Sequence, residues 1–285
     1  MTVTISRLVA ESGLPRIEAD ALLGHALGKS RAQLLAHANH AISDAHADGA
    51  RALFARRRAG EPVAYIVGHR EFFSLEIAVT PDVLIPRPET ELLVDLPLEW
   101  LVSVPAPGDL AARPSAATRN PRVLDLATGS GAVAIAIAKH APGVEVWASD
   151  VSAAALAVAR ANAERHGAAV RFVESDWFGG LASEQFAVIV SNPPYIPAGD
   201  PHLIAGDLRF EPRQALVAGT DGLDAIRRIV VDARTHLMPG GWLAFEHGYD
   251  QASRCRALLE AAGYASVASY RDLAGIERIS AGRVT

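Results

Sequence analysis

Hydrophobic positions near the N-terminus recur at the spacing of an α-helix. One face of a helix over residues 15–28 would carry Ala19, Leu22, Leu23, Ala26 and Leu27. Residues 30–38 begin at a serine that can cap a helix, and residues 44–60 end in glycine after three arginines. The first 60 residues are therefore predicted to form a small helical bundle.

Three consecutive arginines, Arg56 to Arg58, end the last predicted helix of this bundle. Positive charge at a helix C-terminus suits the direction of the helix dipole. We interpret the arginines as a solvated helix end. The alternative is a contact for an acidic or RNA-associated partner.

The hydrophobic period shortens to two in residues 71–86, which predicts a β-hairpin with its turn at Thr80-Pro81-Asp82. Residues 87–102 predict a helix, and the proline- and alanine-rich residues 103–121 predict a loop of no evident role. The predicted domains are a helical substrate-recognition domain over 1–70, a hairpin linker over 71–86 and a larger domain over 87–285.

Apolar strand-like runs alternate with helical patterns in the rest of the chain. The predicted strands are 122–127, 144–149, 169–174, 186–191, 241–247, 265–270 and 277–281, and the predicted helices are 131–141, 153–167, 223–237 and 251–263. This alternation is typical of an α/β fold with a parallel, doubly wound, Rossmann-like sheet. Since no helix separates the last two strands, one antiparallel strand is expected at the end of the sheet.

The composition changes this picture little but excludes several classes of protein. The net charge of −5 argues against a nucleic-acid-binding protein, and no direct DNA partner is expected. A single cysteine, Cys255, excludes an internal disulfide framework and fits a reducing cytosol. The first residues lack the pattern of a signal peptide, and no apolar run approaches the roughly 20 residues that span a bilayer. We expect a cytoplasmic protein with no membrane partner, and a structural rather than catalytic thiol.

A glycine turn after the strand at 122–127 suggests a nucleotide-type cofactor. Gly129 and Gly131 allow close backbone approach at a helix N-terminus, but the third glycine of a dinucleotide fingerprint is missing. Asp125, four residues before Gly129, would repel a pyrophosphate and suit a ligand with an ammonium and a sulfonium group. The pattern favours S-adenosylmethionine over NAD.

Acidic and aromatic residues follow the next two strands at the same predicted edge of the sheet. Asp150 can accept hydrogen bonds from both ribose hydroxyls. Asp176 can accept from an adenine amino group, and Trp177 can cover the adenine face. Strand-end aspartates often cap helices, so the set carries more weight than any one residue. The ten histidines show no metal-ligand spacing with acidic residues, so no metal is expected.

The strand at 186–191 leads directly into Asn192-Pro193-Pro194-Tyr195. An amide nitrogen is a weak methyl acceptor unless it is held flat, aimed at the methyl group and polarised through its N–H groups. Asn192 can offer a side-chain carbonyl, Pro193 a backbone carbonyl fixed by the proline ring, and Tyr195 a surface for a flat group. This stretch is predicted to hold an amino or amide nitrogen for methyl transfer.

Strand, Asn-Pro-Pro-Tyr and the upstream "LDLATGSGA" together resemble the class I amino-group methyltransferases, which include DNA adenine-N6 and protein glutamine enzymes. Within that class the chain is similar to the release-factor glutamine methyltransferases over nearly its whole length. The segments that carry this resemblance are 16–37, 60–95, 209–230, 243–251 and 271–279.

The resemblance implies methylation at N5 of the glutamine in the Gly-Gly-Gln motif of peptide-chain release factors, on a mostly parallel seven-stranded sheet. It implies that the N-terminal bundle grips the release factor. The implied cofactor pocket comprises Asp125, Ala127, Thr128, Gly129, Ser130, Gly131, Asp150, Trp177 and Asn192. Asn192, Pro193, Pro194 and Tyr195 would hold the glutamine. Ala127 stands where many members have glycine, and we expect alanine to fit.

Several acidic residues near these motifs have two interpretations. Glu89 and Glu91 either face the site or start a helix. Glu211 either closes over the substrate or, as we prefer, pairs with Arg209 or Arg213. Glu246 and His247 could indicate acid–base chemistry, but a strand end with a hydrogen-bonded histidine is the preferred interpretation.

Three other functions compete with protein glutamine methylation. A nucleic-acid adenine-N6 methylase shares the motif, but the acidic catalytic half and the absence of a basic reading module argue against it. A non-catalytic S-adenosylmethionine-binding protein would not need an intact Asn-Pro-Pro-Tyr. A nicotinamide dehydrogenase would bind NAD and transfer no methyl group.

Overall fold

In the computed structural model, which describes residues 3–102 and 121–285, chain contacts divide the protein into two units. The first unit comprises Met1–His69 and Pro201–Phe210, and the second comprises Arg70–Asp200 and Glu211–Thr285. The alternation of strands and helices did not predict that residues 201–210 group with the helical unit. The three-part division at residues 70 and 86 stays a prediction. Apart from Pro121, the proline-rich segment 103–121 lies outside the described residues.

The first unit is a bundle of short helices around one apolar cluster. The helices are α1 (Ile5–Glu11), α2 (Arg16–Leu27), α3 (Arg31–Ala36), α4 (Asp44–Arg58) and α5 (Val63–Val67). Leu8, Leu22, Leu23 and Phe54 are almost fully buried at its centre. The predicted helices correspond to α2, α3 and α4. Helices α1 and α5 are only seven and five residues long, which is too short for a clear hydrophobic period.

The arginines at the end of α4 are tied into the first unit. Arg57, with a side chain only 17% exposed, pairs with Glu18 at 2.8 Å and with Asp207 at 2.7 Å. Arg58 donates to the backbone oxygen of Ser12 at 2.7 Å, and Arg56 pairs with a nearby glutamate. The interpretation of a solvated helix end is therefore wrong for Arg57.

The turn of the β-hairpin lies nearer the N-terminus than predicted. Strands β1 (His69–Phe72) and β2 (Leu75–Ala78) meet at Phe73 and Ser74, whose φ angles are 51° and 61°. Tight hairpin turns need such left-handed residues, and glycine or asparagine normally signals them. Here neither residue is present, and a carboxylate supports the turn instead: the backbone N–H of Phe73 donates to Glu91 Oε1 at 2.9 Å. The turn predicted at Thr80-Pro81-Asp82 exists, but it follows the hairpin.

The second unit is built on a seven-stranded sheet in the order β5-β4-β3-β6-β7-β9-β8. Its strands are β3 (Arg122–Leu126), β4 (Glu145–Asp150), β5 (Val170–Glu174), β6 (Phe186–Ser191), β7 (Leu237–Glu246), β8 (Ala265–Arg271) and β9 (Glu277–Arg283). Strands β3 to β7 are parallel, and β9 runs antiparallel to both β7 and β8. The antiparallel strand is thus the last but one in the sheet rather than its edge.

Helices cover the sheet, and their bounds follow the predicted pattern. They are α6 (Leu92–Val102), α7 (Ala132–His140), α8 (Ala153–His166), α9 (Asp224–His236) and α10 (Ala252–Ala261). A 3-10 turn, Pro88–Glu91, precedes α6. Three more 3-10 turns lie between β6 and α9, at Pro201–Ile204, Leu208–Phe210 and Arg213–Ala215. In the described part of the chain, no helix combines the length and apolarity needed to cross a membrane.

The strand order fixes where a ligand can bind. From β3 the chain proceeds to β4 and β5 on one side, and then returns to β6 and β7 on the other. A crevice opens at the carboxyl edge of a sheet where the winding reverses in this way. The glycine turn after β3 and the Asn-Pro-Pro-Tyr stretch after β6 therefore leave neighbouring strands at the same edge.

Candidate functional site

A hollow in the second unit opens at this reversal point. It is lined by Asp125, Ala127, Thr128, Gly129, Ser130, Asp150, Trp177, Asn192 and Pro194 among the predicted residues, and by Phe72, Val83, Leu84, Thr90 and Val151 among those that were not predicted. The predicted Gly131, Asp176, Pro193 and Tyr195 are not part of its lining. Most of the sequence-derived set therefore surrounds one cavity.

The two glycines of the turn serve different purposes. Gly129 has a φ of 55° with open space where a side chain would begin. Gly131, with a φ of 81°, has Ala159 Cβ of α8 only 3.0 Å from the position of a Cβ. Gly129 thus keeps the turn open toward the hollow, and Gly131 allows α7 to start close against α8. Ala127 also adopts a left-handed φ of 61°, a conformation that disfavours an alanine.

Asp125 is a buried carboxylate in the lining of the hollow. It is 2% exposed, and its Oδ2 accepts hydrogen bonds from Thr128 Oγ1 at 2.5 Å and from the backbone N–H of Ala134 at 3.1 Å. Burial raises its pKa to about 7, and the two donors oppose this rise. Its charge is therefore sensitive to any charged group that enters the hollow.

Asp150 ends β4 and closes the glycine turn from the other side. Its Oδ2 accepts from the backbone N–H of Gly129 at 2.9 Å, and its Oδ1 accepts from the backbone N–H of Ser152 at 2.9 Å. Burial raises its pKa, while these backbone donors act in the opposite direction. Each oxygen keeps a second lone pair that can accept a hydroxyl of a ligand.

Trp177 and Asp176 follow β5 but face different surroundings. Trp177, with a φ of 54°, lines the hollow and is held by Ser175, whose hydroxyl donates to its carbonyl at 2.6 Å. The Asp176 carboxylate is 65% exposed and pairs with Arg228 at 3.3 Å. It borders a smaller adjoining hollow that it shares with Asp150, Val151 and Trp177.

A hydrogen-bonded network surrounds the Asn-Pro-Pro-Tyr stretch. Asn192 Nδ2 donates to Thr90 Oγ1 at 3.1 Å, and Thr90 Oγ1 donates to Glu246 Oε2 at 2.6 Å. The Tyr195 hydroxyl donates to Glu246 Oε1 at 2.9 Å. The charge of Glu246, followed by burial, raises the pKa of Tyr195 well above its ordinary value of 10. Tyr195 is thus a neutral phenol with its hydroxyl already committed.

The sequence did not identify Thr90 and Glu246 as parts of this site. Thr90 lies in the 3-10 turn before α6, and Glu246 is the last residue of β7. Glu246 is 2% exposed, so burial raises its pKa and the hydroxyls of Thr90 and Tyr195 oppose that rise. Glu246 was considered in the sequence only for acid–base chemistry, and its position at the end of a strand did not reveal which partners it would meet.

The acidic residues left open by the sequence have structural partners. Glu211 forms an ion pair, as preferred, and the partner is Arg87 at 2.7 Å. Glu91 holds the hairpin turn, and it borders with Glu89 a separate hollow that includes Asp95. Neither glutamate lines the hollow of Asp125.

His247 and Cys255 are buried in structural positions. His247 bonds through Nδ1 to the carbonyl of Gly248 at 2.9 Å and through Nε2 to Ser280 Oγ at 3.0 Å. This is the hydrogen-bonded histidine that was preferred at the strand end. Burial raises the pKa of Cys255 to about 12, which leaves the thiol unreactive. Within the described ranges, His, Cys, Asp and Glu side chains form no group of three that could hold a metal.

The lining of the hollow fits a cationic nucleoside better than a dinucleotide. Asp82, Asp125 and Asp150 border it, and its described lining contains no lysine, arginine or histidine. A pyrophosphate there would meet carboxylates without a cation to balance them. An ammonium or sulfonium group would instead be stabilised by the same side chains.

Comparisons with known families agree with this geometry. Residues 3–68 match the family described as PrmC N-terminal domain, and residues 110–208 match the family described as Methyltransferase small domain. The fold is similar to that of a methyltransferase from Pyrococcus furiosus, with a TM-score of 0.52 and 22% identity over 80% of this chain and 95% of the other.

Full-length relatives are much more similar in sequence. The chain is 54% identical to the release factor glutamine methyltransferase of Bordetella pertussis, over 96% of this chain and 97% of the relative. It is 51% identical to the protein of the same name from Burkholderia pseudomallei, over 99% of this chain and 96% of the relative. These alignments span both units.

Proposed function

The chain belongs to the release factor glutamine methyltransferases, and we propose that it transfers a methyl group from S-adenosylmethionine to the N5 amide nitrogen of the glutamine in the Gly-Gly-Gln motif of peptide-chain release factors. Membership rests on relatives that are 54% and 51% identical over nearly the full chain. The observation that carries the residue assignments is the network that holds Asn192 beside the hollow of Asp125.

We propose that the hollow beside the glycine turn binds S-adenosylmethionine, which supplies a methyl group on a positively charged sulfur. Asp125, in its lining, would favour the cationic end of the ligand, and Asp150 would accept the ribose hydroxyls. Trp177 and Val151 would cover the adenine. The exposed carboxylate of Asp176 supports a lesser role, because it faces Arg228.

Asn192 and Pro193 are proposed to hold the glutamine amide. Asn192 Nδ2 is occupied by Thr90, so Oδ1 is the atom left to accept an N–H of the substrate. The backbone carbonyl of Pro193 would accept the other N–H. Two accepted hydrogen bonds place partial negative charge on the nitrogen and fix its plane, so that its lone pair is aimed at the methyl carbon.

The reaction then needs no strong base. The nitrogen lone pair forms the new N–C bond as the C–S bond breaks, and the sulfur leaves as a neutral thioether. The nitrogen becomes more acidic on methylation, and its extra proton passes to water. Tyr195 and Pro194 would shape the slot for the flat amide. The Tyr195 hydroxyl is bonded to Glu246, so we assign it no proton transfer.

The first unit is proposed to bind the release factor away from the reacting glutamine, in the cytoplasm where translation ends. Its residues 3–68 match a family model of their own, separate from the match for the methyltransferase domain. The relatives' name identifies the substrate as a release factor but not which surface of it is recognised. The proposal that the first unit binds the release factor therefore rests on this unit being separate from the sheet that carries the candidate site.

The test is mass spectrometry of a purified release factor after incubation with this protein and S-adenosylmethionine. One added methyl group, mapped to the Gly-Gly-Gln glutamine, is the expected result. A release factor with this glutamine changed to alanine is the matched control, and it should gain no label. An unlabelled release factor together with a labelled adenine-containing oligonucleotide would instead support the adenine-N6 alternative, which the relatives do not favour.

A further inference from the structure

The side chains of Thr90 and Glu246 bond to each other and to two residues of the Asn-Pro-Pro-Tyr stretch, Asn192 and Tyr195. Thr90 is 5% exposed and Glu246 is 2% exposed. They are separated by 156 residues, yet their side-chain oxygens lie 2.6 Å apart. Glu246 then uses its other oxygen for Tyr195. Burying a carboxylate costs free energy unless its oxygens accept hydrogen bonds. Here each oxygen of Glu246 accepts one hydroxyl.

The direction of each hydrogen bond follows from the chemistry of the carboxylate. An ionised Glu246 can only accept, so both Thr90 and Tyr195 must donate their single hydroxyl protons to it. Thr90 Oγ1 then has only lone pairs to offer its other neighbour. That neighbour, Asn192, must therefore present its Nδ2 amide nitrogen, as the contact of 3.1 Å has it. If the Asn192 amide were turned the other way, its Oδ1 would face Thr90 Oγ1, and both atoms could only accept.

We propose that Thr90 and Glu246 are positioning residues that set the orientation of the Asn192 side-chain amide, so that its Oδ1 faces the methyl acceptor. Neither residue needs to touch the reacting atoms. Glu246 sets the direction of the hydroxyl of Thr90, and Thr90 sets the direction of the amide. The importance of this orientation for the reaction rests on the proposed function, but the orientation itself is a property of the protein alone.

The same carboxylate fixes Tyr195 on the other side of the motif. With its hydroxyl donated to Glu246 Oε1, the Tyr195 ring has one preferred position, and the Tyr195 carbonyl accepts from Gln251 Nε2 at 3.0 Å. A single buried charge thus orients both ends of the stretch that begins at Asn192. A glutamine at position 246 could accept only one of these hydroxyls, because its amide nitrogen would donate.

The orientation can be measured without cofactor or substrate. The sequence has four asparagines, so selective labelling gives four side-chain amide signals, and Asn192→Ala identifies the relevant one. Thr90→Val keeps the shape of the side chain and removes the hydroxyl. We expect it to shift the Asn192 amide resonance and to speed exchange of its bonded proton by about tenfold. Thr90→Ser and the exposed Thr235→Val should leave this resonance in place.

Methyl transfer to the release factor supplies the second readout. Thr90→Val and Glu246→Gln should each lower kcat by about 10²-fold, the scale of a misplaced reacting group. KM for the release factor and Kd for S-adenosylmethionine should change less than about threefold, since positioning acts after binding. Thr90→Ser should recover most of the rate. Unchanged Kd values also serve as the check that each variant is folded.

The two proposals fail in different ways. An unshifted Asn192 resonance in Thr90→Val, or full transfer rates in both Thr90→Val and Glu246→Gln, would overturn the positioning role and leave the proposed function intact. Loss of transfer in Thr90→Ser as large as in Thr90→Val would also overturn it, because the hydroxyl would not be the cause. A shifted resonance in a protein that never methylates release factors would support positioning and overturn the function.

Discussion

The site contains two carboxylates that are equally buried, Asp125 at the proposed cofactor end and Glu246 at the proposed acceptor end. The donors to Asp125 are Thr128 and the backbone of Ala134, three and nine residues away. The donors to Glu246 are Tyr195 and Thr90, 51 and 156 residues away. Asp125 therefore receives its hydrogen bonds from one continuous motif, whereas Glu246 receives its two from two distant segments of the chain.

This difference has a physical consequence for what each carboxylate can do. Asp125 borders the hollow directly and has a pKa raised to about 7, so an incoming cation changes its charge. Glu246 is outside that lining and has both oxygens committed to hydroxyls. Asp125 is suited to bind a ligand by charge, and Glu246 is suited to hold other side chains in place.

The largest expected effect lies at the acceptor end. Asn192→Ala should lower the rate of methyl transfer by about 10²–10³-fold, because a preorganised acceptor for the glutamine amide is removed. Single-turnover transfer to the release factor measures this loss, and isothermal titration measures Kd for S-adenosylmethionine, which should rise only a few-fold. Near-full activity in the variant would remove Asn192 from the catalytic role.

The next effect lies at the cofactor end. Asp150→Ala removes the acceptor for the ribose and leaves the backbone N–H of Gly129 without its partner. Kd for S-adenosylmethionine should rise by about 10- to 100-fold, the usual scale for hydrogen bonds to a charged group. The well-exposed Asp48→Ala is the matched control. An unchanged Kd in Asp150→Ala would count against the ribose assignment.

The pH dependence of cofactor binding separates the two carboxylates. Since burial raises the pKa of Asp125 to about 7, its carboxyl is protonated in the free protein at lower pH and must lose the proton to face a cation. Kd for S-adenosylmethionine should therefore fall by up to about tenfold per unit as pH rises toward 7, and then level off. Titrations from pH 5.5 to 8.5 test this.

Two variants control for the source of this dependence. Asp125→Asn should bind more weakly with little change over the same range, whereas Glu246→Gln should keep the wild-type dependence. The raised pKa also means that the contribution of Asp125 to the folding stability of the free protein decreases as pH rises from 3.8 to about 7. A flat wild-type profile would show that Asp125 does not pair with the cationic group.

The smallest effect concerns the turn beside Asp125. Ala127 has a φ of 61°, which costs an alanine roughly 1–2 kcal/mol and a glycine very little. Ala127→Gly should stabilise the protein by about 0.5–1 kcal/mol after the entropy of glycine in the unfolded chain is subtracted. Ala157→Gly, at an exposed position inside α8, should destabilise by about 1 kcal/mol. Thermal melts that show equal losses of stability in the two variants would contradict this account of the turn.

The same contrast explains how much the sequence could predict. The shared position of Asp125, Gly129 and Asp150 in the lining of one hollow could be predicted, because strand ends in a parallel sheet share one edge and each residue lies within a few positions of its strand. The position of Asn192 could be predicted because its motif follows its strand directly. Thr90 was not found, because its role depends on a 3-10 turn meeting the end of β7, which no local pattern encodes.

The fold shows the same limit in two other places. The β1–β2 turn was misplaced because Phe73 and Ser74 adopt left-handed conformations without glycine or asparagine. A carboxylate 18 residues away supplies the missing support. Residues 201–210 were expected to belong with the catalytic sheet, since they lie between its strands β6 and β7 in sequence. Their partners, such as Arg57, lie far earlier in the chain.

The grouping of residues 201–210 with the first unit limits how evolution or engineering can exchange substrate-recognition regions. The family match over residues 3–68 would suggest that this region can be grafted from one relative to another as a single cassette. Such a graft would bring its own Arg57 and Ala59 but would meet the host's Asp207 and Arg209, which bond to them at 2.7 Å. The exchangeable module is therefore two stretches of the chain, 3–68 and 201–210, and a graft should carry both.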